Sequence, residues 1–129
     1  MKGLVSQKWS IEYAGTGNPE TGDTGYIYKI IDRKSNEGMV LQTKEGSSET
    51  GQALVSSHTY VGGDWDSWHI VPTGDGYYKM YVRAKDNDNN TYKSLYITYD
   101  SGKAANGGLS LELEKSGDIS QKFKLINAN

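Results

Sequence analysis

One short pattern recurs three times along the chain and limits the folds open to it more than any other feature. Gln7-Lys8-Trp9-Ser10-Ile11, Asp66-Ser67-Trp68-His69-Ile70 and Gln121-Lys122-Phe123-Lys124-Leu125 all read polar, any, aromatic, any, aliphatic. Residues two apart on an extended strand share a face, so each segment drives an aromatic and an aliphatic side chain into a common core. The second and third segments close longer units that are alike. Gly25-Tyr26-Ile27-Tyr28-Lys29-Ile30 and Gly76-Tyr77-Tyr78-Lys79-Met80-Tyr81 open them with aromatic-rich strands. A leucine-centred strand follows in each, Val40-Leu41-Gln42-Thr43 and Ser94-Leu95-Tyr96-Ile97-Thr98. Internal similarity of this kind means units that share one core.

The rest of the chain is written in strands and turns. Apolar alternations bounded by turn residues fall at 8–13, 26–32, 39–43, 53–56, 67–71, 77–83, 94–99, 109–114 and 122–126. Sixteen glycines break every helical periodicity, and Gly15-Thr16-Gly17-Asn18-Pro19, Thr73-Gly74-Asp75-Gly76 and Asn106-Gly107-Gly108 read as turns. Asp86-Asn87-Asp88-Asn89-Asn90 has nothing apolar to bury and reads as a solvent-facing hairpin loop. The expectation is an all-β sandwich or barrel with few or no helices, and 129 residues make one domain of it.

Composition narrows the function. Apolar residues are only 35%, but ten Tyr, three Trp and one Phe are too many for a disordered chain, so aromatics should supply much of the core. Fourteen basic against 16 acidic side chains give a net charge of −2 with no basic run, which argues against nucleic acid as a partner. With no cysteine there is no disulfide, thiolate metal site or cysteine nucleophile. No stretch approaches the roughly 20 apolar residues of a membrane span, and the first nine residues lack the apolar core of a signal peptide. A soluble protein without membrane insertion is expected, cytoplasmic, or secreted had a leader been removed.

At the closing strands the sequence resembles the ricin B-type lectin family, whose lobes end in Gln-x-Trp strands and whose fold is the β-trefoil. The stretch from Gly62-Gly63-Asp64-Trp65-Asp66-Ser67-Trp68 through Gly74-Asp75-Gly76 to Tyr77-Tyr78-Lys79 looks like one lobe closing and the next opening. The resemblance covers two full lobes and the end of a preceding one. It implies a single β-trefoil-like domain, with a partial lobe at 1–25 and full lobes at 26–75 and 76–129. The opening strands of the first lobe are missing from this count. The chain begins inside a lobe completed from elsewhere, or starts with a degenerate lobe, or builds a different barrel. An open barrel leaves edges that need cover, and a second copy of the chain in a homo-oligomer is one way to supply it.

The same resemblance implies where sugar would bind: an Asp on the second strand's hairpin, a stacking aromatic on the third strand, and Asn and Gln at the start of the closer. Carboxylates accept from adjacent hydroxyls, amides donate and accept in a plane, and an aromatic face covers the sugar's C–H patch. Here the Asp position falls at Gln42 in one lobe and near Tyr96 in the other. The aromatic falls at His58 or Tyr60, and the Asn-Gln pair at Trp65-Asp66, while the last lobe keeps Gln121. The candidates are therefore Gln42, His58, Tyr60, Trp65, Asp66, Tyr96 and Gln121. Trp65 is either a ligand platform facing away from Trp68 or a lid over the barrel's end, and Asp66 either meets ligand or caps the turn. Trp9, Trp68 and Phe123 belong to the core, and His69 should face away from it. Tyr77, Tyr78, Tyr81, Tyr92, Tyr96 and Tyr99 either form a recognition face or follow strand propensity.

Catalysis has little to stand on. His58 and His69 lack the spacing of a zinc motif, and no Gly-x-Ser-x-Gly elbow or phosphate-cradling glycine loop occurs. The run from Asp86 has Thr91 and Ile97 where a calcium loop needs Gly and Glu, and Asn89-Asn90-Thr91 is a glycosylation sequon. The expected function is a non-catalytic, cofactor-free lectin-like module that holds glycans or glycoproteins at shallow sites. The alternative is a protein-interaction module of the toxin-complex or inhibitor-trefoil kind.

Overall fold

The computed structural model describes residues 9–17, 25–32, 38–43, 50, 54–63, 65–86, 91–99, 109–115 and 117–125, with backbone alone at 55–58, 84–86 and 91. Residues 1–8, 18–19, 64, 87–90, 106–108 and 126 lie outside it. So do the expectations placed on them: part of the first closer and of two turns, most of the Asp86 loop and sequon, and the end of the last strand.

The described residues hold eight strands: β1 (Trp9–Thr16), β2 (Tyr26–Asp32), β3 (Val40–Thr43), β4 (Leu54–His58), β5 (His69–Pro72), β6 (Tyr78–Asp86), β7 (Thr91–Tyr99) and β8 (Leu109–Glu112). They form two four-stranded antiparallel meanders, β1-β2-β3-β4 and β5-β6-β7-β8. The fold is all-β, as expected, and its helical content among the described residues is one 3-10 turn, Ile119–Gln121, capped by the Asp118 side chain on the Ser120 N–H. The ninth expected strand is reduced among the described residues: after that turn Phe123 alone of residues 122–125 pairs, in a single bridge to Tyr78.

The turn into β6 shows how local chemistry sets register. Gly74 and Gly76 take φ of 90° and 89°, which a side chain would resist, while Thr73 binds the Tyr77 carbonyl through both its N–H (2.9 Å) and its hydroxyl (3.1 Å). β5 and β6 leave this turn paired Pro72 to Tyr78 and His69 to Tyr81.

Two bridges reveal the trefoil-like plan. Tyr28 exchanges both main-chain hydrogen bonds with Trp68, at 2.7 and 2.9 Å, and Tyr78 does the same with Phe123, both at 2.8 Å. Each closing segment thus pairs with the opening strand of its own lobe. β1 pairs with β2, and β5 with β6, so a closer also pairs with the opener of the next lobe. Around the barrel the order is Phe123, β6, β5 with Trp68, β2, β1.

The core sits on one face of each sheet. Met80 and Val82 on β6, Leu95 and Ile97 on β7, and Leu109 and Leu111 on β8 are buried together with Ile30, Leu41, Leu54 and Trp68. Trp68 is wholly buried, and its indole N–H donates to the Leu41 carbonyl at 2.9 Å; Trp9 and Phe123 pack half-buried against the same cluster. Among the described residues no helix is long and apolar enough to cross a membrane.

Candidate functional site

Among the described residues, two places that gather polar and aromatic side chains hold the expected site residues or lie beside them. The first is the loop from β4 to Trp68. The Asp66 carboxylate is fully buried and accepts the Val61 N–H at 2.8 Å, while the Asp66 N–H reaches the Gly63 carbonyl at 3.3 Å. Burial raises the pKa of this carboxyl, and the backbone N–H groups of Val61, Gly63 and Gly62 work against that rise. Tyr60 shares a 3.0 Å hydrogen bond with Ser67, and its ring lies 5.9 Å from the Lys29 ammonium. Trp65 lies in a turn, half-buried, with its indole folded over Gly63: a Cβ there would come within 2.5 Å of the ring. The loop is a coil drawn tight around Asp66, with Trp65 and Tyr60 half-exposed on it.

Gln42 stands apart from this group, buried on β3 opposite Val55 of β4. His58 contributes its backbone to the pair with Val40, and its side chain lies outside the described atoms.

The second place is the face of the β5–β8 sheet turned away from the core. Strand alternation that sends Met80, Val82, Leu95 and Ile97 inward sends Lys79, Tyr81, Arg83, Ser94 and Tyr96 outward. Register lines up His69, Tyr81, Tyr96 and Glu112 in one row across all four strands. The His69 ring stacks on Tyr81 at 4.8 Å and 21°, and Tyr81 meets Tyr96 at 5.0 Å and 38°. Lys79 places its ammonium 5.6 Å from the Tyr96 ring and 3.0 Å from Glu114, whose carboxylate is half exposed. Ser110 donates to Glu112 at 3.0 Å and Arg83 to Ser94 at 3.2 Å. Burial, and then the charge of Glu114, raise the Tyr96 pKa, so its phenol keeps its proton and its ability to donate.

Gln121 flanks this face as a buried clamp. Its amide donates to Thr98 on β7 at 3.0 Å and to the Leu113 carbonyl at 2.9 Å, and its carbonyl accepts the Lys115 N–H at 2.8 Å. Every polar atom of the side chain is thereby engaged by the fold. His69 corrects one expectation: it does leave the core face, yet it is 3% exposed, because the Tyr81 ring covers it. Tyr81 and Tyr96 share the row, whereas Tyr99 packs on the core. Sequence reasoning left Lys79, Glu112 and Glu114 out of the site. Period-two alternation about Met80 and Val82 carries the signal for Lys79, but the ion pair joins positions 35 residues apart, which only the sheet and the turn after β8 bring together. Among the described residues no group of three or more His, Asp or Glu side chains could hold a metal ion.

Half-buried phenol rings bordered by an ammonium, carboxylates and hydroxyls offer what a sugar ring demands: an apolar plane for its C–H face and donors and acceptors at its edge. The family model described as ricin-type beta-trefoil lectin domain-like matches residues 5–94, and the chain belongs to that family. Searches of curated proteins and of solved structures return no match.

Proposed function

We propose that the chain is a single β-trefoil-like domain, a partial lobe at 1–25 followed by lobes at 26–75 and 76–129, that binds glycans at shallow surface sites without chemistry. The observation that carries this reading is the Tyr81–Tyr96 pair with Lys79, Glu112 and Glu114 around it. Tyr96 supplies the stacking face in the last lobe; Trp65 and Tyr60 supply the exposed aromatic surface in the lobe before it, with Asp66 holding their loop. Gln121 acts from beneath, by holding Leu113, Lys115 and Thr98, and Gln42 lies buried on β3. Such sites hold single sugars weakly, and copies of the chain acting together, each with two sites, raise apparent affinity without new contacts.

A glycan array run with wild type, Tyr96→Ala and Trp65→Ala tests the proposal. Specific signal that falls with Tyr96→Ala places the site on the β5–β8 face, and a fall with Trp65→Ala places it on the loop. A blank array with folded protein overturns it. One observation favours protein recognition as the second reading: Asp66 and Gln121, polar positions of the sugar pattern, are spent inside the fold, while Val61, Leu113 and Ile119 stand 65%, 56% and 69% exposed.

A further inference from the structure

The two bridges of the barrel make Lys29 and Lys79 equivalent: each is the residue after the bridging tyrosine on the opening strand of its lobe. Both lysines are also placed alike. Lys29 holds its ammonium 5.9 Å from the Tyr60 ring and 3.7 Å from the Glu12 carboxylate. Lys79 holds its own 5.6 Å from the Tyr96 ring and 3.0 Å from the Glu114 carboxylate. The partners, however, come from different elements. Glu12 stands directly across from Lys29 on β1, and Tyr60 follows β4. Across from Lys79 stands Val71, so its acid comes from beyond β8 and its ring from β7. Repetition of the lobe therefore accounts for the lysine and not for the trio, which each lobe assembles by its own route. Folding has little use for it, because the Glu12 and Glu114 side chains are 55% and 52% exposed and ion pairs so open to water add little stability.

We propose that each trio is one sugar-recognition unit, in which Lys29 and Lys79 set the specificity, and that its ligand is an uncharged sugar with adjacent hydroxyls. The inference rests on the glycan reading above and adds Lys29 and Glu12 to the loop site of Tyr60. The phenol ring covers the sugar's C–H face, the ammonium donates to one hydroxyl oxygen, and the carboxylate accepts from the hydroxyl beside it. Donors remain for this. An ammonium has three N–H groups; Glu114 takes one from Lys79, and the 3.7 Å separation of Lys29 from Glu12 is longer than a hydrogen bond. Charge then selects the ligand. In each trio the acid cancels the ammonium, so a sulfate or carboxylate on a sugar gains no net attraction and meets a like charge at close range. Beside the second trio Arg83 and Glu112 add one charge of each sign, which leaves that balance unchanged.

A glycan array carrying uncharged, sulfated and uronic-acid sugars tests this, with circular dichroism to show that each variant is folded. Wild type should bind uncharged sugars. Lys29→Gln combined with Lys79→Gln should lower that signal about tenfold, through the loss of a charge-assisted hydrogen bond in both units. Glu12→Gln combined with Glu114→Gln should raise the signal on sulfated sugars by about tenfold, since it leaves the ammonium groups uncancelled. Support of the fold alone would not reverse a preference in this way. The glutamate variant keeps the largely buried Lys79 in place, so it carries the test if the lysine variant does not fold. Uncharged-sugar binding that survives loss of both lysines, a glutamate variant with no gain on sulfated sugars, or a wild type that already prefers them overturns the proposal and leaves the glycan reading standing. A blank array with folded protein overturns both.

Discussion

Trp9 and Trp68 hold equivalent places in two lobes and should respond oppositely to the loss of an indole nitrogen. Trp68→Phe removes the donor from a 2.9 Å hydrogen bond in a site with no solvent access and leaves the Leu41 carbonyl without that partner. Stranding a buried acceptor costs about 1–3 kcal/mol. The smaller ring also gives up buried contact, worth about 1–2 kcal/mol in a core that relaxes only partly. The sum, about 2–5 kcal/mol, is a large part of the roughly 5–15 kcal/mol that holds a domain folded. It corresponds to a fall in Tm of about 8–20 °C for a chain of this length. Trp9→Phe deletes a buried N–H that has no acceptor, which returns about 1–3 kcal/mol of desolvation and offsets the packing lost at a half-buried ring. That variant should lie within about 1 kcal/mol of wild type, on the stabilising side. Urea unfolding followed by circular dichroism measures both, and equal m-values ensure that the midpoints report stability. Equal destabilisation by the two substitutions, or a silent Trp68→Phe, would refute the reasoning.

Three further outcomes are expected. Gln121→Ala frees the Leu113 carbonyl and the Lys115 N–H and should cost about 2–4 kcal/mol in the same unfolding assay; an unchanged midpoint would show that the clamp carries no load. Gly63→Ala should push the Trp65 indole off its backbone seat into solvent, seen as red-shifted emission and faster acrylamide quenching, with little loss of stability because the ring is the part that moves. Acid should act on two carboxyls in opposite senses. The Lys122 ammonium, 2.8 Å away, and the Thr73 hydroxyl hold Asp75 down to about 2, so its contribution is complete above 3.8 and is lost as the pH falls through about 2. Asp66 has its pKa raised by burial, so its charge costs stability as the pH rises from 3.8 through the higher folded value. Asp75→Asn should flatten the acid limb of a stability profile between pH 4 and 2, and an identical limb would reject the assignment.

How much of this was legible beforehand follows from the range of the interactions. The sequence expectation matches β2 to the residue and β3 to within one, because period-two apolar patterning is a local signal, whereas β1 runs on past a bulge through Gly15 and Thr16, which read as turn. The last strand, expected at 122–126, is reduced among the described residues to the Phe123 bridge, directly after a 3-10 turn that Asp118 caps. The outward row His69–Tyr81–Tyr96–Glu112 was half visible, since alternation gives the face of each residue but not the register that aligns four strands. Burial was the least legible property. Asp66, Gln121 and His69 have polar side chains that composition assigns to the surface, and each is covered because a hydrogen bond or a stacked ring meets it inside.

The junction of the two meanders bears on the order in which the chain assembles. Each meander is built from strands adjacent in sequence, so each can zip from its own turns with short loop closures. Between them the described main chain offers only the reciprocal pair of Tyr28 and Trp68, reinforced by the Trp68 indole on Leu41. The halves therefore share one apolar core, with Ile30, Leu41 and Leu54 packed among Met80, Leu95 and Leu111, but are joined along the described main chain at a single pair, which marks their docking. In native-state hydrogen exchange the Tyr28 and Trp68 amides should open together, at a lower free energy than the ladder amides of β6 and β7, and so report the docking step alone.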